Sequence, residues 1–201
     1  MRVGDVSFLT SQLSNTTFTS SLLANFPGTF DPEKVVVYGH SFGGSTAAAA
    51  AQRIPAVIGG LNFDGPIYGP VKDQGFKGKP FVLVTSTGNY TRGDLVPPVP
   101  DWSPFYTAVD ASKMEVAVWG TRHYAFMDVP LLLTAISVPT ASKATIEQTF
   151  GMIDGRALEE AENFLVNGLI RLAYEGDDGP LSKADMSPNV YVIIDGLQPR
   201  Q

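Results

Sequence analysis

The chain has 201 residues, of which 44% are hydrophobic and 17% charged, with a formal net charge of −6. Those proportions fit one globular domain with a buried core. The 14 Lys and Arg are scattered among 20 Asp and Glu and form no basic run, which argues against nucleic-acid binding, and the lack of cysteine excludes disulfides, thiolate zinc sites and cysteine nucleophiles.

Taken in chain order, Arg2 to Leu23 reads as a helix followed by a loop, with Val6, Leu9 and Leu13 on one helical face. The opening Met-Arg-Val-Gly-Asp lacks the apolar core of a signal peptide, and no apolar run approaches the roughly 18 residues of a membrane span. Two Asn-x-Thr sequons, at Asn15 and Asn89, are a faint pointer to secretion. Asn25 to Lys34 holds Pro27, Gly28 and Pro32 and is a connector. Val35 to Gly39 is a short continuous apolar run, the pattern of a strand covered on both faces. Phe42 to Arg53 is an Ala-rich helix that ends before Pro55.

Ala56 to Phe63, Pro80 to Ser86 and Met114 to Gly120 are three further strands. Between the last two lies "GDLVPPVPDWSPFY", a proline-rich excursion expected to cover something. Its Trp102, Phe105 and Tyr106 are candidates to line an acyl pocket or form a lid, and equally to make a satellite cluster under a loop. Ala157 to Tyr174 is an amphipathic helix carrying Leu158, Ala161, Leu165, Leu169 and Leu172 on one side. The acidic "EGDDG" that follows lacks calcium-loop spacing and reads as a solvated turn. The tail "VYVIID" has strand character without an evident partner. Strands alternating with helices imply an α/β domain, a mostly parallel sheet with helices on both faces. Such sheets carry their sites at the carboxyl ends of the strands, and Ser41, Asp64 and His123 each follow a strand.

Gly39-His40-Ser41-Phe42-Gly43 fits the G-x-S-x-G nucleophile elbow. A turn this sharp crowds its backbone, so a Cβ at either flanking glycine is expected to clash. The helix starting at Phe42 aims its first N–H groups at the serine, which makes the Phe42 N–H a candidate oxyanion donor. A turn serine that only caps the helix is the alternative. A nucleophilic Ser41 needs a base. His40 lies within the elbow and diverges from Ser41, which leaves His123. The orienting carboxylate is expected at Asp64, because a strand end holds a side chain better than the excursion that carries Asp94 and Asp101. A turn aspartate before Gly65-Pro66 is the alternative there.

Together "YGHSFGGSTA", "LNFDG" and "GTRHYAFMDVPLL" resemble the platelet-activating-factor acetylhydrolase-like esterases of the α/β-hydrolase superfamily. The resemblance includes an H-x-x-F-x-D box, matched by His123, Phe126 and Asp128, and extends through "GMIDGRALEEAENFLVNGL" to "PNV", so it runs from about Arg2 to about Val190. It implies one α/β-hydrolase domain over residues 1–201, corresponding to the C-terminal two-thirds of the usual fold, and a serine carboxylic-ester hydrolase for short-acyl esters. The implied triad is Ser41, His123 and Asp64. No cofactor, metal or nucleic-acid partner is expected, only a small-molecule or lipid ester.

The sequence departs from the family in two ways. Gly65-Pro66 stands where animal members carry an aromatic residue after the acid, which weakens the case for a long phospholipid. The strands and the "HG" oxyanion loop that precede the first helix in the family are not in this chain. The Val35–Gly39 strand is therefore expected at an apolar sheet edge, and the 201 residues alone are expected to be weakly active or inactive. A catalytically silent hydrolase-fold piece that binds a partner, and a serine peptidase on the same fold, remain the rival readings.

Overall fold

The computed structural model describes residues 2–27, 31–88, 102–136 and 139–198. Asn89, Asp94, Asp101 and most of the proline-rich excursion lie outside the described residues.

Two helices open the chain, α1 (Val3–Leu13) and α2 (Thr16–Leu22). The second replaces the expected loop, because the Asn15 side chain accepts the N–H groups of Thr17 and Phe18 and starts a new helix. The face expected to be buried is also rotated. Val3 and Val6 pack against the core and Thr10 is buried, while Leu9 points outward. The strand β1 (Val35–His40) leads into α3 (Phe42–Arg53), then β2 (Val57–Phe63) and a short α4 (Val71–Gln74). Next come β3 (Phe81–Ser86), α5 (Ser103–Ala108) and β4 (Lys113–Val118). A 3-10 turn at His123–Ala125 precedes α6 (Val129–Thr134), α7 (Thr140–Phe150), α8 (Gly155–Glu175) and β5 (Val190–Gly196).

The five strands form one sheet in the order β1-β2-β3-β4-β5. The first four are parallel, and β5 joins β4 antiparallel, with Val118 opposite Val190 and Lys113 opposite Gly196. That supplies the partner the tail lacked in the sequence. β1 sits at the edge of the sheet, with Tyr38 exposed.

Two apolar layers sandwich the sheet, as the pleat requires. From β3, Phe81 and Leu83 face one side and Val82 and Val84 the other. On the first side Ala47 to Ala51 of α3 are almost wholly buried, and their small side chains let the helix lie close to the strands. On the second side α8 presents Leu158, Ala161, Leu165 and Leu169, the stripe its sequence predicts. Leu172 packs at its margin. α8 is capped by Asp154, which accepts from the N–H groups of Arg156 and Ala157, and ends at Gly176 in the left-handed conformation. The "EGDDG" turn is held back on this helix by ion pairs from Arg171 to Glu175 and to Asp177.

Candidate active site

The four parallel strands point their carboxyl ends to one rim, and three of them deliver the candidate residues. β1 ends in the elbow. Ser41 is the N-cap of α3 with φ 56° and ψ −121°, a region an L-residue occupies only under constraint. The constraint is visible in the hydrogen bonds. Ser41 N–H donates to Phe63 O on β2 (2.8 Å), and Ser41 O accepts from Gly44 N–H (3.0 Å). β2 ends at Asp64, also at positive φ (54°), whose N–H donates to Val84 O on β3 (2.7 Å).

The crowding falls partly where the motif predicts. A Cβ at Gly39 would lie 2.8 Å from the Gly43 backbone, but a Cβ at Gly43 would meet nothing within 4 Å. The second tight position is Gly44, where a Cβ would overlap the side chain of Asn62. Asn62 is fully buried in β2 and holds the next turn together. Its Nδ2 donates to Gly65 O (2.6 Å) and its Oδ1 accepts from Gly65 N–H (2.9 Å). A Cβ at Gly65 would in turn overlap Ser41 O. The serine turn and the acid turn are thus packed into each other, with the Asn62 side chain seated against Gly44 and Gly65, where no Cβ fits.

Across this joint the structure brings Ser41, Asp64 and His123 together. His123 opens the 3-10 turn after β4, and its Nδ1 lies 2.8 Å from Asp64 Oδ2 and its Nε2 3.2 Å from Ser41 Oγ. The carboxylate fixes the tautomer: Nδ1 carries the proton and donates to Asp64, leaving Nε2 to accept from the serine hydroxyl. Asp64 is buried, while the His123 side chain is 40% exposed. A buried carboxylate must be hydrogen-bonded. Asp64 accepts from Ser86 N–H (2.8 Å), Ser86 Oγ (3.0 Å) and Thr85 Oγ1 (3.2 Å), besides His123. Sequence reasoning passed over Ser86 and Thr85; their place at the carboxyl end of the neighbouring strand was the available signal. The N–H groups of Phe42 and Gly43 begin α3 without an acceptor within the helix. The Phe42 N–H adjoins Ser41, as an oxyanion donor must, while the Phe42 ring is exposed and tilts toward Tyr68.

His40 was set aside in the sequence as divergent. Its ring packs against His123 with centroids 4.7 Å apart and planes inclined at 47°. Burial, and secondarily His123, lowers its pKa from the usual imidazole value, against the opposing effects of the His123 backbone and of Asp64.

The aromatic residues of the excursion lie elsewhere. Trp102 is buried and its Nε1 donates to Gly65 O (2.9 Å), bracing the acid turn from beneath. Phe105 is in the core, edge-on to Phe76 and Phe81. Tyr106 packs at the amino end of β4, with the Lys113 ammonium 4.8 Å above its ring. Phe81 and Lys113 begin their strands, so Phe105 and Tyr106 sit at the opposite end of the sheet from Ser41. Neither expected role describes their placement: Trp102 and Phe105 are part of the main core beside α3, and Tyr106 packs against it. The reason is local: Ser103–Ala108 folds as a helix whose inner face turns down into the core. A cavity of about 400 Å³ does open at the carboxyl ends of β3 and β4, lined by Thr87, Gly88, Trp119, Arg122, Glu147 and Met152.

A mostly parallel sheet between two helical layers, with a strained serine between strand and helix, defines an α/β-hydrolase fold. A ferulic acid esterase from Streptomyces cinnamoneus has the same fold, with a TM-score of 0.75 at 20% identity, over 96% of this chain and 54% of that one. Residues 9–153 match the model of the family "platelet-activating factor acetylhydrolase, isoform II", and the chain belongs to that family. A probable 1-alkyl-2-acetylglycerophosphocholine esterase from Arthroderma benhamiae is 27% identical over 171 residues, 80% of this chain and 43% of the relative. The chain therefore spans about half the length of these relatives. No helix among the described residues is long and apolar enough to cross a membrane.

Proposed function

We propose that this chain carries the catalytic site of a serine carboxylic-ester hydrolase acting on short-acyl esters of the 1-alkyl-2-acetylglycerophosphocholine type. One observation carries the reading: an unbroken relay from Asp64 through His123 to Ser41, 2.8 and 3.2 Å long, ending on a serine at positive φ.

In this reading His123 Nε2 takes the Ser41 proton as Oγ bonds to the ester carbonyl carbon. The negative charge that develops on the carbonyl oxygen faces the Phe42 N–H and the positive end of α3. As the tetrahedral intermediate collapses, His123 returns the proton to the departing alcohol. Water, deprotonated by the same imidazole, then resolves the acyl-enzyme. Asp64 holds the imidazole in the required tautomer and stabilises its charged form without accepting the proton itself. The family membership and the fungal relative support the ester class.

A fluorophosphonate probe tests the proposal. Labelling is expected at Ser41 and should disappear in Ser41→Ala, and p-nitrophenyl acetate should be cleaved in preference to the matching anilide. An unlabelled wild-type chain would support the silent, partner-binding reading, and preference for the anilide would support a peptidase.

A further inference from the structure

The relay accounts for one of the two histidines of the chain and leaves the other unexplained. His40 is the last residue of β1, opposite Phe63 of β2 in register. Its ring lies 4.7 Å from that of His123 and 6.1 Å from that of Phe126, which follows in the same turn. His40 Nε2 is buried and finds no hydrogen-bond partner among the described residues. A polar ring nitrogen is an odd filler for such a place, and unpartnered buried nitrogens call for an explanation.

We propose that His40 is a positioning residue whose ring backs the His123 imidazole and holds it on the line between Asp64 and Ser41. The inference rests on the triad reading of the preceding subsection. The geometry gives the reason. His123 is held by two hydrogen bonds, one from Nδ1 to Asp64 and one at Nε2 from the Ser41 hydroxyl, and its side chain is 40% exposed, so once Ser41 gives up its proton the ring is free to tilt off that line unless a neighbour stops it. The His40 ring is that neighbour, tilted at 47° with its centroid 4.7 Å from that of His123, and the Phe126 ring lies beside it at 6.1 Å. An orphaned Nε2 fits this role. The ring takes its orientation from the hydrogen-bonding influence of the His123 backbone and from packing, while Nε2 is left unpartnered.

Protonation matters as well. Two imidazoles this close compete for one proton, and the relay works only if the proton leaving Ser41 rests on His123. The titratable groups acting on His40 are His123 and Asp64. Burial first, and then His123, lower the pKa of His40, and Asp64 bonds directly to His123, so the proton from Ser41 is directed to His123.

Because the chain has two histidines, imidazole nitrogen NMR of the whole protein gives two ring systems, assigned with a His40→Phe variant. On acidification His40 should take its proton only below the usual imidazole range. With p-nitrophenyl acetate, His40→Ala should lower kcat on the order of tenfold or more with KM within about twofold, as expected when a reacting group loses its alignment. His40→Phe, which keeps a flat ring, should recover most of that loss. The proposal is overturned if His40 protonates at or above the usual imidazole range, if His40→Ala retains wild-type kcat, or if the Ala and Phe variants are equally slow. If His40→Ala does not fold, the wild-type titration and the rate of His40→Phe still decide. Failure of wild-type Ser41 to take a fluorophosphonate would sink the triad reading instead. The imidazole spectra need no turnover and still report whether His40→Ala weakens the His123 Nδ1–H hydrogen bond to Asp64, the result expected if the rings act as a pair.

Discussion

Replacing Asp64 by Asn tests the relay with little change of shape. The carboxylate has two sides. Oδ1 accepts from Ser86 N–H and Thr85 Oγ1, and Oδ2 accepts from Ser86 Oγ and His123 Nδ1. An Asn amide must choose which side carries its NH2. Turned toward the Ser86 N–H, it would set donor against donor in a buried site, at about 1–3 kcal/mol for the unsatisfied group. Turned toward His123, it keeps the Ser86 and Thr85 bonds and lets Ser86 Oγ rotate to accept, so this orientation wins. His123 must then accept at Nδ1, which places its proton on Nε2, facing Ser41. An imidazole in that state cannot remove the serine proton. The expected loss in kcat is about 10⁴-fold, the size seen for this change in other serine triads, or about 5 kcal/mol of barrier. The fold should lose much less, about 1–2 kcal/mol for one charge-assisted hydrogen bond. Melting should accordingly drop by only a few degrees, at roughly 2–4 °C per kcal/mol for a chain of this size. Initial rates of p-nitrophenyl acetate hydrolysis, fluorophosphonate labelling rates and a thermal melt measure all three quantities. An Asp64→Asn chain that melts normally and hydrolyses within tenfold of wild type would refute the assignment of Asp64 as orienter.

Three further expectations concern the scaffold. Glu162 lines a small cavity with Asp128 and Glu159, and burial, then those two charges, push its pKa up to about 7. Because the folded value lies above the unfolded one, stability should fall as pH rises from about 4.5 to about 7, and Glu162→Gln should gain about 1–2 kcal/mol in urea unfolding at pH 8 and nothing at pH 4. Lys79 Nζ donates to Ala51 O (2.8 Å) and Ile54 O (3.0 Å) at the carboxyl end of α3. Lys79→Met should cost about 1–2 kcal/mol and speed hydrogen exchange in the last turn of that helix, and unchanged exchange there would contradict the capping role. Leu165 is fully buried beneath the sheet; Leu165→Ala should cost about 2–5 kcal/mol by chemical denaturation, against less than about 1.5 for Leu165→Met.

The four parallel strands were legible, because each is a short, mostly apolar run bounded by turn residues or a helix, the pattern of a doubly covered parallel strand. The convergence of Ser41, Asp64 and His123 was legible for a related reason: each follows a strand, and a parallel sheet brings strand ends to one rim. What the sequence hid was lateral. Nothing in "VYVIID" says that it returns antiparallel beside β4, since pairing between distant segments leaves no local mark. The end of the sheet that Phe105 and Tyr106 visit depends on the course of the intervening chain, so their aromatic character misled. Gly43 was credited with the crowding that belongs to Gly44, because the motif names the position but the obstacle, Asn62, comes from another strand. Asn62 itself is a polar side chain in the middle of an apolar strand. That anomaly was readable, and its meaning lay in the turn three residues on.

The joint between the two turns has a consequence for anyone who would transplant this chemistry. Copying the pentapeptide Gly39–Gly43 into another scaffold would import the serine without the counterpart that shapes its loop, since Gly44, Asn62 and Gly65 are moulded against one another. The smallest portable unit is two adjacent strands with both of their exits, and drift at any one of those three positions would have to be answered at the other two.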